Sequence, residues 1–150
     1  MTINQQIVAE ARIWLGTAFA HQGRCKASAH SPGGCDCLGL IMGVAETLGL
    51  RSRAGSLLSG HDITCYPSQQ NTPQLYTSLC QLLSEENLDA MAPGDLLLFN
   101  IGKYPQHLGI ISDYQGGELG IIHTHQSAQA VVEHRLCEHW RRRIYARFVF

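Results

Sequence analysis

Gly33-Gly34-Cys35-Asp36-Cys37-Leu38-Gly39-Leu40 constrains this chain more than any other stretch. Glycines run into an Asp and a Cys, and the chain then turns abruptly apolar. Leu38, Ile41, Met42, Ala45 and Leu48 fall on one stripe of a 3.6-residue period, and Gly49 supplies a stop. Cys37 is thereby placed at or near a helix N-terminus. The unpaired N–H groups and the dipole there favour a thiolate over a thiol. A buried, inert cysteine belongs in the middle of the apolar stripe. Cys37 is therefore the candidate nucleophile, and Cys35 its neighbour.

At 150 residues the chain fits one domain with a single core. A hydrophobic fraction of 45% with 15% charged residues suits a globular protein and excludes a disordered one. The formal net charge of −1 gives no basic field for nucleic acid. Arg141-Arg142-Arg143, with Arg135 and Arg147 nearby, reads as a solvated face. Residues 1–20 lack a basic leader with an apolar core and a small-residue cleavage site, so no signal peptide is expected. No apolar run approaches a membrane span, so no membrane insertion is expected either. On these grounds the chain is expected to be made in the cytoplasm and to need another route to any work beyond the membrane.

Thr2 and Gln5 match a capping box that opens a helix running to about Leu15, with Ile3, Ile7, Ala11, Trp14 and Leu15 on its apolar face. Residues 16–36 read as a long irregular connection, a length usually reserved for function. A second polar stretch covers roughly 50–72, including Gly55, Gly60, Pro67 and Asn71. Thr72-Pro73 reads as an N-cap followed by Pro at the first helical position, with Leu75, Leu79, Leu82 and Leu83 continuing the helix. The pattern then switches. Pro93-Gly94-Asp95 marks a turn, and 96–99, 107–112, 120–124, 130–133 and 144–150 read as strands, with a hairpin turn at Gln115-Gly116-Gly117. Helices first and strands after imply α+β, with N-terminal helices packed on a C-terminal antiparallel sheet.

Cysteine-based hydrolysis needs a thiolate, an imidazole that takes and returns the proton, and a group that orients the imidazole. Eight histidines are present, so position must discriminate. His107 begins one strand of the proposed hairpin and His123 lies on the other. A turn centred near Gln115 puts them nearly opposite, with Cβ atoms within roughly 5 Å. One then faces the thiol and the other fixes its tautomer. His125 is the rival to His123, because two residues along a strand it shares the same face.

In order, Asp36-Cys37-Leu38-Gly39-Leu40, Pro93-Gly94-Asp95-Leu96, His107-Leu108-Gly109-Ile110 and Ile122-His123 resemble the motifs of the NlpC-type papain-like cell-wall cysteine peptidases. Trp14-Leu15-Gly16-Thr17 and Trp140 with its basic followers fit as well, so the resemblance spans nearly the whole chain. It implies a thiol protease in which Cys37 is the nucleophile, His107 the general base and then acid, and His123 the orienting third residue. No cofactor and no metal are implied. Family members typically cut the D-γ-glutamyl–diaminopimelate bond of peptidoglycan stem peptides. The Asp-Cys-Leu-Gly-Leu form is most similar to the phage-type subgroup, which implies tail or baseplate proteins of a phage or phage-like particle as partners and the cell wall or periplasm as the place of action. Two positions depart from the family pattern. Leu38 stands where Ser is common, and His21-Gln22-Gly23 stands where a Tyr usually precedes glycines. The resemblance places His21 and Asp36, together with the Cys37 backbone N–H, at the oxyanion and substrate-binding site.

Three other readings compete. Cys25, Cys35 and Cys37 with His21 or His30 offer metal ligands, although Cys-x-Cys is not the spacing of common zinc knuckles. A non-catalytic tail or wall-binding module on the same fold would keep the architecture without the chemistry. An amidase or acyltransferase would share the acyl-enzyme step and differ in the acceptor.

Overall fold

The computed structural model describes residues 1–62 and 72–150. Cys65, Pro67 and Asn71 of the expected polar stretch lie outside the described residues. Helix α1 (Ile3–Ile13) opens with the Thr2/Gln5 capping box intact. It stops two residues before the expected Leu15, because Trp14 caps it and turns its ring inward. Ile7, Val8, Ala11 and Trp14 are buried, whereas Ile3 and Leu15 of the expected apolar face remain exposed. Helix α2 (Cys37–Leu48) begins at the expected cysteine, with Asp36 as its N-cap. It ends at Gly49, whose φ of 61° is a left-handed conformation that glycine adopts without strain. Helix α3 (Gln74–Leu82) starts one residue later than expected. Pro73, not Thr72, occupies the cap position, and no side chain caps the helix.

The connection 16–36 is more ordered than its composition suggests. Strands β1 (Arg24–Cys25) and β2 (Gly34–Cys35) form a two-stranded ladder within it. Strands β3 (Ser84–Glu86), β4 (Leu96–Ile101), β5 (Tyr104–Asp113), β6 (Leu119–His125), β7 (Ala130–Arg135) and β8 (Ile144–Val149) make an antiparallel sheet in the order β3-β8-β4-β5-β6-β7. Short helix α4 (Glu138–Arg141) interrupts the passage from β7 to β8. The α+β expectation holds, with β3 and α4 as additions too short to show a period.

Strand alternation gives the sheet two apolar faces. Leu96, Leu98, Leu108, Ile110, Ile122 and Phe148 pack with Ile7, Ala11, Trp14, Leu40, Ile41 and Val44 of the helices. Leu97, Phe99, Ile111 and Ile121 instead pack with Leu136 and Trp140. The two long helices touch closely because α2 lacks a side chain at Gly43: a Cβ there would sit 2.0 Å from the Trp14 ring. Among the described residues no helix is long and apolar enough to cross a membrane.

The Pro93-Gly94-Asp95 turn is anchored by charge. Asp95 is buried, accepts the Ala92 N–H, and binds Arg147 Nε of β8 at 2.6 Å. Arg147 also donates to the Asn87 carbonyl. The expectation of a solvated basic face therefore fails for Arg147, which is 8% exposed. Removing one partner of a buried pair leaves an uncompensated charge. Arg147→Met is expected to lower unfolding free energy by about 3–5 kcal/mol, read from urea midpoints. A loss under about 1 kcal/mol would show that the pair behaves like an exposed one.

Candidate active site

Asp36 fixes the approach to the candidate nucleophile. One carboxylate oxygen accepts the Gly39 N–H at 2.8 Å and Arg24 Nη1 at 3.0 Å; the other accepts the Gln22 N–H at 2.8 Å. The carboxylate that lies next to Cys37 thus holds the helix start and the preceding loop together. Cys37, the first residue of α2, is half-buried. The backbone N–H groups of Leu108 and Leu38 reach its thiol. The contact to Leu108 brings the nucleophile against the strand position next to His107.

Cys37 and His107 line one cleft of about 450 Å³ with Phe19, His21, Asp36, His125, Trp140 and Arg143. His107 Nε2 lies 2.7 Å from His123 Nδ1, so the structure joins the two predicted histidines directly. They are not directly opposite. The β5–β6 register pairs Ile110 with Ile122 and Ile111 with Ile121, a turn one residue later than expected. Continued, that register sets Gly109 opposite His123 and makes the contact with His107 diagonal. Glycine at 109 is what permits it: a Cβ there would lie 2.6 Å from Ile121 Cδ1 and 3.3 Å from His123 Cβ. His125, the rival, uses Nδ1 to accept the Ser127 N–H, and its ring centre is 6.1 Å from that of His107.

A fourth ring extends the array. His123 Nε2 is 2.8 Å from His134 Nε2 on β7, and His134 Nδ1 donates to the Arg135 carbonyl at 2.8 Å. Sequence reasoning missed His134. The signal was present, since His134 directly follows the run 130–133 read as a strand, but the β6–β7 register, which sets it opposite Ile121, was needed to see it. Trp140, buried at 6% exposure, packs edge-on against His123 and His125 and tilted against His107, with ring centres 4.8–5.4 Å apart. The Arg143 guanidinium lies over the same indole, 5.4 Å from its ring centre.

This packing sets the protonation. Burial, assisted by the charges of His125 and Arg143, pushes His107 from 6.5 down to about 3. Burial and its three imidazole neighbours push His123 down to about 2. Burial and the Asp36 carboxylate push the Cys37 thiol up to about 12, against the opposing pull of the Leu108 and Leu38 N–H groups and Arg24. The expected thiolate is therefore replaced by a neutral thiol beside a neutral imidazole. A helix terminus supplies about 0.3–1 kcal/mol, rarely ~2. Raising a thiol to about 12 corresponds to roughly 4 kcal/mol. Desolvation wins.

The remaining cysteine geometry argues against a shared metal. Cys35 pairs with Arg24 and Cys25 with Gly34, so the two cysteine side chains alternate to opposite faces of the β1–β2 ladder. Cys35 is fully buried, with its sulfur 3.4 Å from Thr124 Oγ1, whereas Cys25 is exposed. Among the described residues no group of three or more His, Cys, Asp or Glu could hold a metal ion.

Two measurements follow from the protonation. Alkylation of Cys37 in the free protein should be no faster than that of an ordinary thiol at neutral pH, rising only in alkali. Rapid modification at pH 6 would refute the neutral pair. Stability should also fall as pH drops from 6.5 towards about 3, because in that window unfolded His107 and His123 bind protons that the folded rings refuse. The slope is at most about 1.4 kcal/mol per pH unit for each ring. It should be shallower in His123→Phe, as read from urea midpoints across pH.

No protein-family model and no curated protein matches the chain. Solved structures do. The NlpC/p60 domain of the peptidoglycan hydrolase SagA is 20% identical over 98% of both chains, with a TM-score of 0.60. The P60 domain of an antigen from M. avium subspecies paratuberculosis is 14% identical over 97% of this chain and 92% of its own, also at 0.60. An N-acetylmuramoyl-L-alanine amidase from Bacteroides uniformis is 14% identical over 97% and 96%, at 0.56. Across nearly its full length, this chain has the papain-like fold of NlpC/p60 domains.

Proposed function

We propose that residues 1–150 form a single cysteine hydrolase domain acting on peptidoglycan stem peptides, with Cys37 as nucleophile, His107 as general base and acid, and His123 as orienter. The carrying observation is the join between Cys37 and the imidazole array: the thiol rests on the Leu108 N–H, and the preceding residue, His107, is hydrogen-bonded to His123. The named activities of two solved structures that share the fold, a peptidoglycan hydrolase and an amidase, support this substrate class.

In the forward step the Cys37 sulfur bonds to the scissile carbonyl carbon while His107 takes the thiol proton. A neutral starting pair makes attack and proton transfer concerted. The oxyanion forms near the Cys37 backbone N–H, which in the first turn of α2 has no intrahelical acceptor. His21, which lines the same cleft, is the residue we assign as a second donor. The carbon–nitrogen bond then breaks, and His107 returns the proton to the leaving amine. Water, deprotonated by His107, cleaves the thioester and restores the thiol.

The bond we assign is D-γ-glutamyl–diaminopimelate, and the setting a phage or phage-like tail that carries the domain to the wall. The resemblance of Asp36-Cys37-Leu38-Gly39-Leu40 to the phage-type subgroup supports that setting. The amidase likeness favours one second reading, cleavage at the sugar–peptide junction.

Digestion of purified peptidoglycan, with new termini identified by mass spectrometry, separates the two. Free diaminopimelate amino termini, absent with Cys37→Ala, are the expected result. Products cut beside muramic acid would transfer the assignment to the amidase reaction, and no products from the wild-type chain would leave only a binding module. His107→Ala should abolish turnover, and His123→Ala should leave a residual rate, since an orienter is less critical than the base it holds. A greater loss in His125→Ala than in His123→Ala would reassign the third residue.

A further inference from the structure

The imidazole array has a direction that its outermost member sets. His134 Nδ1 faces the Arg135 carbonyl at 2.8 Å, and a carbonyl only accepts. Nδ1 must therefore carry hydrogen, and in neutral His134 the other nitrogen, Nε2, is bare. His123 Nε2, 2.8 Å away, must then be the donor to it. With its hydrogen on Nε2, neutral His123 offers a bare Nδ1, so His107 Nε2, 2.7 Å away, must donate in turn. That leaves His107 Nδ1 without hydrogen, the form required of a base.

We infer that His134 is a positioning residue that, through the fixed acceptor at Arg135, locks His123 and His107 in the tautomers that leave His107 Nδ1 free to take the Cys37 proton. His123 alone cannot do this, because a neutral imidazole between two others works equally well in either direction. The backbone carbonyl breaks that symmetry. Trp140 keeps the rings from turning out of line, with ring centres 5.4 Å from His107, 4.8 Å from His123 and 6.2 Å from His134. His134 is half-buried and does not itself line the cleft, so its hydrogen-bonded route to His107 runs through His123.

The inference rests on the reading of Cys37 and His107 as nucleophile and base, but its first test does not need activity. Two-bond 1H–15N spectra of the wild-type chain at mildly alkaline pH should show hydrogen on Nε2 of His107, Nε2 of His123 and Nδ1 of His134. Hydrogen on Nδ1 of His107 or of His123 would overturn the lock directly. The second test compares His134→Phe with His134→Gln, whose amide oxygen can accept from His123 near the position of the lost Nε2. A wrong tautomer imposed directly behind a catalytic imidazole costs about 10⁴-fold in a serine protease. One ring further out, we expect His134→Phe to lower kcat roughly 10- to 100-fold with KM little changed, the scale of second-layer substitutions. His134→Gln should recover most of that loss and keep the wild-type nitrogen pattern at His107. Equal losses in both variants, with the pattern at His107 unchanged, would assign His134 a merely structural role. An inactive wild-type chain that shows the expected pattern would refute the proposed reaction and leave the lock standing.

Discussion

The carboxylate of Asp36 is the point on which the site depends. It caps α2 through the Gly39 N–H, takes the Gln22 N–H from the preceding turn, and pairs with Arg24 of β1, which pairs again with Asp62. A charged, buried acceptor with donors from helix, turn and side chain meets the condition under which burying a charge is tolerable. The close approach is completed by Gly39, where a Cβ would lie 2.1 Å from the Gly23 carbonyl. Helix start and loop are thus fixed to one another, and Cys37 emerges from the join at a defined angle. The same carboxylate raises the neighbouring thiol. The group that aims the nucleophile also keeps it protonated.

The histidines solve the complementary problem by a different means. His123 is fully buried and, among the described residues, no carboxylate bonds its ring, so its polar atoms must be satisfied by other groups. His107 and His134 do so from either side. An Asp or Glu in that place would have raised the His107 imidazolium, and an imidazole does not. The result is an array whose hydrogen bonds are specific and which contains no carboxylate, enclosed by Trp140, Phe99 and the β5–β6 hairpin. Gly109 makes the arrangement possible, because any side chain there would separate the two strands' histidines.

Much of this was legible in the chain. The capping box at Thr2, the start of α2 at Cys37, the stop at Gly49 and the core strands all have local signatures, in caps, period and glycine placement. His107 and His123 followed from hairpin register to within a residue. His134 was not legible, because its contact depends on how β7 pairs with β6, and the connecting residues Gln126-Ser127-Ala128-Gln129 carry no Gly, Pro or Asn to announce the turn that sets that register. The β1–β2 ladder escaped because two-residue strands carry no period. Arg147 looked like one more surface cation; its tertiary partner, Asp95 in the turn before β4, distinguishes it from Arg141 and Arg142. The thiolate expectation failed for a related reason. The dipole is a local property of α2, whereas desolvation comes from strands that close over Cys37 from far along the chain.

A neutral resting pair changes what the rest of the site must supply. With a preformed thiolate, His107 would need only to return a proton, and its tautomer before attack would be immaterial. With a thiol, reaction begins only if His107 presents a bare nitrogen at the moment of attack, and a ring free to hold hydrogen on either nitrogen does so only part of the time. Burial therefore makes tautomer control part of the chemistry. It also limits how that control can be exerted, since a charged orienter in this apolar pocket would be costly to desolvate. A chain of imidazoles ending on a backbone carbonyl meets both demands: it imposes direction without placing a carboxylate behind the base.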